Sequence, residues 1–121
     1  MRLWHGSKYR FSSFRTPAEG YPIQPSEAGR NEFRDVVFLT SDRAQAVRYA
    51  EREGYLYEVE VAKSVPYRQA VVAAGKKWTD VGEGIHIAFP TECRIMSVLH
   101  KLPRRRNAEQ KWTDLTGQSN G

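Results

Sequence analysis

The apolar positions of this chain fall into short runs with two recurring periods. Asp35-Val36-Val37-Phe38-Leu39-Thr40 is the most apolar run and reads as a buried strand. Tyr55-Leu56-Tyr57-Glu58-Val59-Glu60-Val61 alternates, with Tyr55, Tyr57, Val59 and Val61 on one face, as a half-buried strand does. Between the two, Ala44, Val47 and Ala50 recur at helical spacing. A helix is therefore predicted from a cap at Thr40 or Ser41 through Glu53, with Gly54 as its C′ stop.

The remaining elements are shorter. Arg2-Leu3-Trp4-His5 reads as a first strand halted by Gly6-Ser7. Phe11 and Phe14, three apart, suggest either a helical turn or a loop pinned by two rings. From Arg15 to Arg34 the texture turns polar, punctuated by Pro17, Gly20, Pro22, Pro25 and Gly29. So long a stretch without a period inside a compact domain reads as a lid. Val65-Pro66 ends the third strand, Arg68 to Ala74 makes a short helix closed by Gly75, and Ile85 to Phe89 is another strand. Arg94 to Leu102 is the last, ended by Pro103. Residues 104–121 are basic and then polar, with Trp112 and Leu115 as anchors, and read as a loosely ordered tail. Short strands with a helix after the second predict an α+β domain over residues 1–103 built as two small packed sheets.

Composition narrows the function classes. At 121 residues the chain is the size of one ordinary domain, and its Trp 3, Tyr 6 and Phe 5 supply much of the core. No apolar run approaches the roughly 20 residues that span a bilayer, and the opening residues lack a signal-peptide stretch. A cytoplasmic, membrane-free protein is expected. Cys93 is the single cysteine, and His5, His86 and His100 are far apart, so neither a disulfide nor a metal site is expected. The net charge of +5 favours anionic partners, although such a charge also serves simply to keep a small domain in solution. Arg104-Arg105-Arg106 reads either as a nucleic-acid contact or as a solvated charge run.

Three patterns, in chain order, resemble the ADP-ribosyltransferase superfamily in its His-Tyr-Glu branch. Leu3-Trp4-His5-Gly6-Ser7 is similar to the strand ending in His-Gly-Thr or His-Gly-Ser found in poly-ADP-ribose polymerases and in several bacterial and phage enzymes. Val37-Phe38-Leu39-Thr40-Ser41, followed by Ala44, Ala46 and Tyr49-Ala50, resembles the family's strand, helix and stacking tyrosine. Gly82-Glu83-Gly84-Ile85-His86-Ile87 resembles its catalytic glutamate at the head of a strand. These spans cover most of residues 2–102. The family often carries a serine a few residues before the tyrosine to bind the carboxamide, whereas Gln45-Ala46-Val47 stands there in this chain.

The resemblance implies NAD⁺ as co-substrate and assigns roles. Glu83 would stabilise the oxocarbenium-like ribose formed when the nicotinamide–ribose bond breaks, with Asp80 and then Glu92 as substitutes. His5 would hydrogen-bond a ribose hydroxyl as a neutral imidazole, and Gly6 would offer its backbone to the carboxamide. Ser7 would either add a hydrogen bond or cap the segment after it. Tyr49 would stack on the nicotinamide ring, and Arg15 would serve the diphosphate, with Arg30 and Arg43 as further candidates. The activity implied is mono-ADP-ribosyl transfer to a protein or nucleic acid. Competing expectations are a rifamycin-type small-molecule transferase, an RNA 2′-phosphotransferase, a member that binds NAD⁺ or a partner without turnover, and a plain nucleic-acid-binding module.

Overall fold

A computed structural model describes residues 1–14, 36–73, 75 and 84–117 of the chain. Its strands are β1 (Arg2–Ser7), β2 (Val37–Thr40), β3 (Tyr55–Val61), β4 (Val65–Pro66), β5 (Ile85–Ala88), β6 (Cys93–Lys101) and β7 (Trp112–Asp114). Two helices, α1 (Arg43–Tyr49) and α2 (Tyr67–Ala73), interrupt them. The architecture is α+β, as the pattern predicts, but the two packed sheets expected are one antiparallel sheet in the order β4-β5-β2-β1-β3-β6-β7. Period reveals which face of a strand is buried, not which edges pair, so the joining of the halves was invisible in the sequence. The join is narrow. β1 pairs with β3 along its whole length, from Arg2↔Glu60 to Ser7↔Tyr55, yet meets β2 in register only at Trp4↔Thr40.

Residues directly opposite one another in an antiparallel pair share a face, which sorts the core. Leu3, Val37, Leu39, Tyr57, Val59, Val61 and Ala88 are buried on one face, with Phe11, Phe14, Ile95 and Val98 packed against them. Phe11 and Phe14 therefore pin a loop. The opposite face carries both helices. There Tyr67 of α2 is buried with Val36, Ile85 and Ile87, and its ring meets Phe38 edge-on at 5.6 Å. α1 lies over Gly6, where an added Cβ would stand 1.8 Å from the Ala46 carbonyl oxygen.

α1 is shorter than expected. Asp42, not Thr40 or Ser41, is its N-cap, the carboxylate accepting from the Ala44 amide at 3.0 Å. The helix closes at Ala50, and the left-handed residue after it is Glu51, with φ 56°. Gly54 is thus no helix stop. It lets the chain pass Ala50 and Ser7, whose carbonyl oxygens an added Cβ would meet at 2.0 and 2.5 Å. Seven residues are too few for an isolated helix. This one is held by burial of Ala46 and Ala50 and by Lys101, whose ammonium donates to the carbonyls of Glu51 at 2.6 Å and Val47 at 3.3 Å.

One strand runs past its expected end, and one strand was not expected at all. β1 continues through Gly6 and Ser7 because both pair with β3. Beyond Leu102, the segment expected to be a loose tail turns back as a hairpin. The Ala108 amide donates to the Arg105 carbonyl at 3.0 Å, Asn107 takes a φ of 61°, and Trp112 returns to pair with Lys101. Val65-Pro66, read as the end of the third strand, is a separate edge strand on β5, a position that tolerates proline. The lid expected at 15–34 lies outside the described residues.

Candidate functional site

Beyond Trp4↔Thr40 the first two strands part, and a small, solvent-open cleft lies between them. Trp4, His5 and Gly6 form one wall, Phe38, Leu39 and Thr40 the other, with Ile85 and the Tyr49 ring completing it. Three of the residues singled out from the sequence, His5, Gly6 and Tyr49, therefore meet at one place.

The imidazole of His5 bridges the two strands just where their pairing stops. Its Nδ1 lies 2.6 Å from the Phe38 carbonyl oxygen, which can only accept, so Nδ1 carries the proton and Nε2 a lone pair. Phe14, Phe11 and Tyr57 surround the ring at centroid distances of 5.2, 5.8 and 6.0 Å. Burial among them lowers the imidazole pKa from 6.5 to about 4, against the opposing pull of the Phe38 hydrogen bond. At neutral pH the ring is uncharged. It cannot serve as a general acid there, but it can accept. Nε2 is buried and has no hydrogen-bond partner among the described residues. An orphaned acceptor in such surroundings is costly unless a donor reaches it.

Gly6 has a structural reason to be glycine that sequence reasoning did not supply. Its missing side chain admits the α1 backbone, with Ala46 and Ala50 as the obstructing residues. Tyr49, at the end of α1, is 40% exposed and so belongs to the cleft wall rather than to the core. Ser7 is buried, its hydroxyl accepts from the Tyr9 amide at 3.1 Å, and it does not line the cleft.

Arg15, Arg30, Asp80 and Glu83 lie outside the described residues. Gly84, the residue after Glu83, is at the head of β5 with φ 78°, and its carbonyl accepts from the Ser41 amide at 3.2 Å. This places the strand head beside the start of α1, within 4 Å of the Gln45 amide as judged from an added Cβ. Glu92 sits in the 3-10 turn between β5 and β6, outside the cleft lining. Arg43 lies beside the cleft wall, over Trp4. Its guanidinium lies 5.6 Å from the Trp4 ring centroid and 5.7 Å from that of Trp112.

Sequence reasoning missed a polar chain along the cleft. The Asp42 amide donates to the Thr40 hydroxyl at 3.0 Å, Thr40 donates to Gln45 Oε1 at 2.6 Å, and Gln45 Nε2 donates to the Tyr49 hydroxyl at 3.3 Å. The i,i+4 spacing of Gln45 and Tyr49 was the available signal. The Cys93 thiol is pushed up to about 11 by burial and by the Glu92 charge, which leaves it a poor nucleophile. Among the described residues, no three His, Cys, Asp or Glu side chains are grouped to hold a metal ion, and no helix is long and apolar enough to cross a membrane.

The chain matches no protein-family model, no curated protein and no solved structure.

Proposed function

We propose that this chain is a mono-ADP-ribosyltransferase, cleaving the nicotinamide–ribose bond of NAD⁺ and passing ADP-ribose to a macromolecular acceptor, protein or nucleic acid. The observation that carries the reading is the convergence of His5, Gly6 and Tyr49, from separate parts of the sequence, on the cleft between β1 and β2. In this reading the Tyr49 ring stacks on nicotinamide, and His5, at the cleft wall, is the residue that serves the ribose. Arg15 serves the diphosphate.

The chemistry asked of the site is modest. The bond from ribose C1′ to the nicotinamide nitrogen breaks, its electron pair leaves with the now neutral nicotinamide, and positive charge spreads onto the ribose. The Glu83 carboxylate stabilises that charge and takes the proton of the attacking acceptor group. Tight packing around His5 and Tyr57 keeps water from one side of the wall.

The test is incubation with NAD⁺, alone and with cell lysate, following nicotinamide release and labelled ADP-ribose. Transfer should fall about 10²–10⁴-fold in Glu83→Gln while NAD⁺ binding largely survives, since the carboxylate acts on the transition state. His5→Ala and Tyr49→Ala should weaken NAD⁺ binding itself. Absence of NAD⁺ binding by the unaltered protein would refute the reading. Nicotinamide release without labelling would move it to a glycohydrolase or a small-molecule acceptor.

A further inference from the structure

The polar chain along the cleft has a direction. Thr40 is almost wholly buried. Its oxygen already accepts from the Asp42 amide at 3.0 Å, so its own proton needs an acceptor. Gln45 supplies one at 2.6 Å, a separation typical of O–H···O and short for N–H···O. The opposite amide orientation would leave the buried Thr40 proton facing an NH₂ group. Gln45 therefore turns its oxygen to Thr40 and its NH₂ to Tyr49, whose hydroxyl accepts at 3.3 Å. A phenol that accepts from one neighbour keeps its proton for another. With Tyr49 forming part of the cleft wall and 40% exposed, the space left for that second partner includes the cleft itself.

We infer that Gln45 is a positioning residue that sets the Tyr49 hydroxyl as a hydrogen-bond donor to the bound ligand, and that the ligand group received there is a carbonyl oxygen. The inference rests on the proposed function, in which that carbonyl belongs to the carboxamide of nicotinamide. It gives Tyr49 a polar task besides stacking. It also accounts for Gln45-Ala46-Val47 where the resembled family often has a serine: the polar contact reaches the ligand through Gln45 and Tyr49.

A purely structural alternative exists. Gln45 is the third residue of α1 after the Asp42 cap, where Gln or Glu commonly supports a helix start. Gln45→Glu separates the two roles because they predict opposite signs. A carboxylate at this position favours the helix N-terminus, so the melting temperature should stay level or rise. The same carboxylate has no proton to give, so it accepts from Tyr49 and draws the phenol proton away from the cleft.

The experiment compares nicotinamide with 3-ethylpyridine, which is likewise uncharged near neutral pH but lacks the carbonyl, by NMR titration of the full chain. The unaltered protein should prefer nicotinamide by about tenfold, the scale of one hydrogen bond. Gln45→Glu and Tyr49→Phe should each erase the preference, while the ¹³Cζ resonance of Tyr49, assigned by its loss in Tyr49→Phe, shifts in Gln45→Glu. A preference retained in Gln45→Glu, or an unmoved Tyr49 resonance, would overturn the inference. Should neither compound bind the unaltered protein, the nicotinamide reading of the cleft fails with it, and the Tyr49 resonance still decides the direction of the chain.

Discussion

Replacing Gly6 by alanine tests whether the cleft is held open by the contact between β1 and α1. The added Cβ would stand 1.8 Å from the Ala46 oxygen, 2.8 Å from its carbon and 2.9 Å from the Ala50 nitrogen. All three are backbone atoms, so no rotamer change relieves the clash, and α1 must retreat by roughly 1 Å or more to restore ordinary contact. Retreat strains the hydrogen bonds that Lys101 makes to the end of the helix. Overpacking of this kind costs about 3 kcal/mol. For a chain of this length each kcal/mol lowers the melting temperature by about 3–4 °C, so a fall near ~10 °C is expected. The assay is urea and thermal unfolding followed by circular dichroism. Gly75→Ala is the control, since Gly75 has a φ of 75° with nothing within 4 Å of an added Cβ and should cost only about 1 kcal/mol of backbone strain. Because α1 carries Tyr49, Gly6→Ala should also lose NAD⁺ affinity. Stability within ~0.5 kcal/mol of the unaltered protein would refute the packing argument and return Gly6 to a purely ligand-facing role.

Three further outcomes are expected. Burial lowers the His5 pKa from the ordinary 6.5 to about 4, so the folded state binds fewer protons than the unfolded chain between those values. The stability involved, about 3 kcal/mol, is present above pH 6.5 and is lost as pH falls towards 4. Urea midpoints of the unaltered protein should thus drop more steeply below pH 6.5 than those of His5→Phe, and parallel curves would contradict the neutral, buried imidazole. Using the difference between the two proteins cancels the contribution of His86, whose pKa burial also lowers. Lys101→Met should destabilise by about 1–2 kcal/mol in urea titrations, with Lys101→Arg recovering part of the loss; no change would mean that the ammonium does not close α1. Tyr57→Phe removes a hydroxyl that donates to the Tyr9 carbonyl at 2.9 Å and accepts from the Phe11 amide at 3.0 Å. Hydrogen exchange at Phe11 should accelerate markedly, and unchanged exchange would show that the loop is held by its rings alone.

Strands with a clear period were legible in the sequence: β2, β3, β5 and β6 stand within a few residues of their expected places. What failed depended on partners distant in the chain. The end of α1 was misplaced because Glu51, not a glycine, takes the left-handed position, and its strain is borne by contacts from β6. β7 was missed because Trp112-Thr113-Asp114 has no alternation to read and becomes a strand only by pairing with the edge of β6. In the site, the meeting of His5, Gly6 and Tyr49 was implied by the resemblance and not by period or spacing. The role of Gln45 was not, because it turns on which end of an amide faces a buried hydroxyl.

The grip of Lys101 on α1 also orders events in time. The carbonyls it holds belong to residues 47 and 51, made some fifty positions earlier. While the chain is being synthesised, the helix that bears Tyr49 emerges without the group that closes it, and β3 emerges without β6 along its outer edge. β1 waits similarly for its long partner, β3. The cleft is therefore a late product of folding, completed when the last long strand arrives, and a nascent chain stopped short of Lys101 would carry His5, Gly6 and Tyr49 without the frame that brings them together.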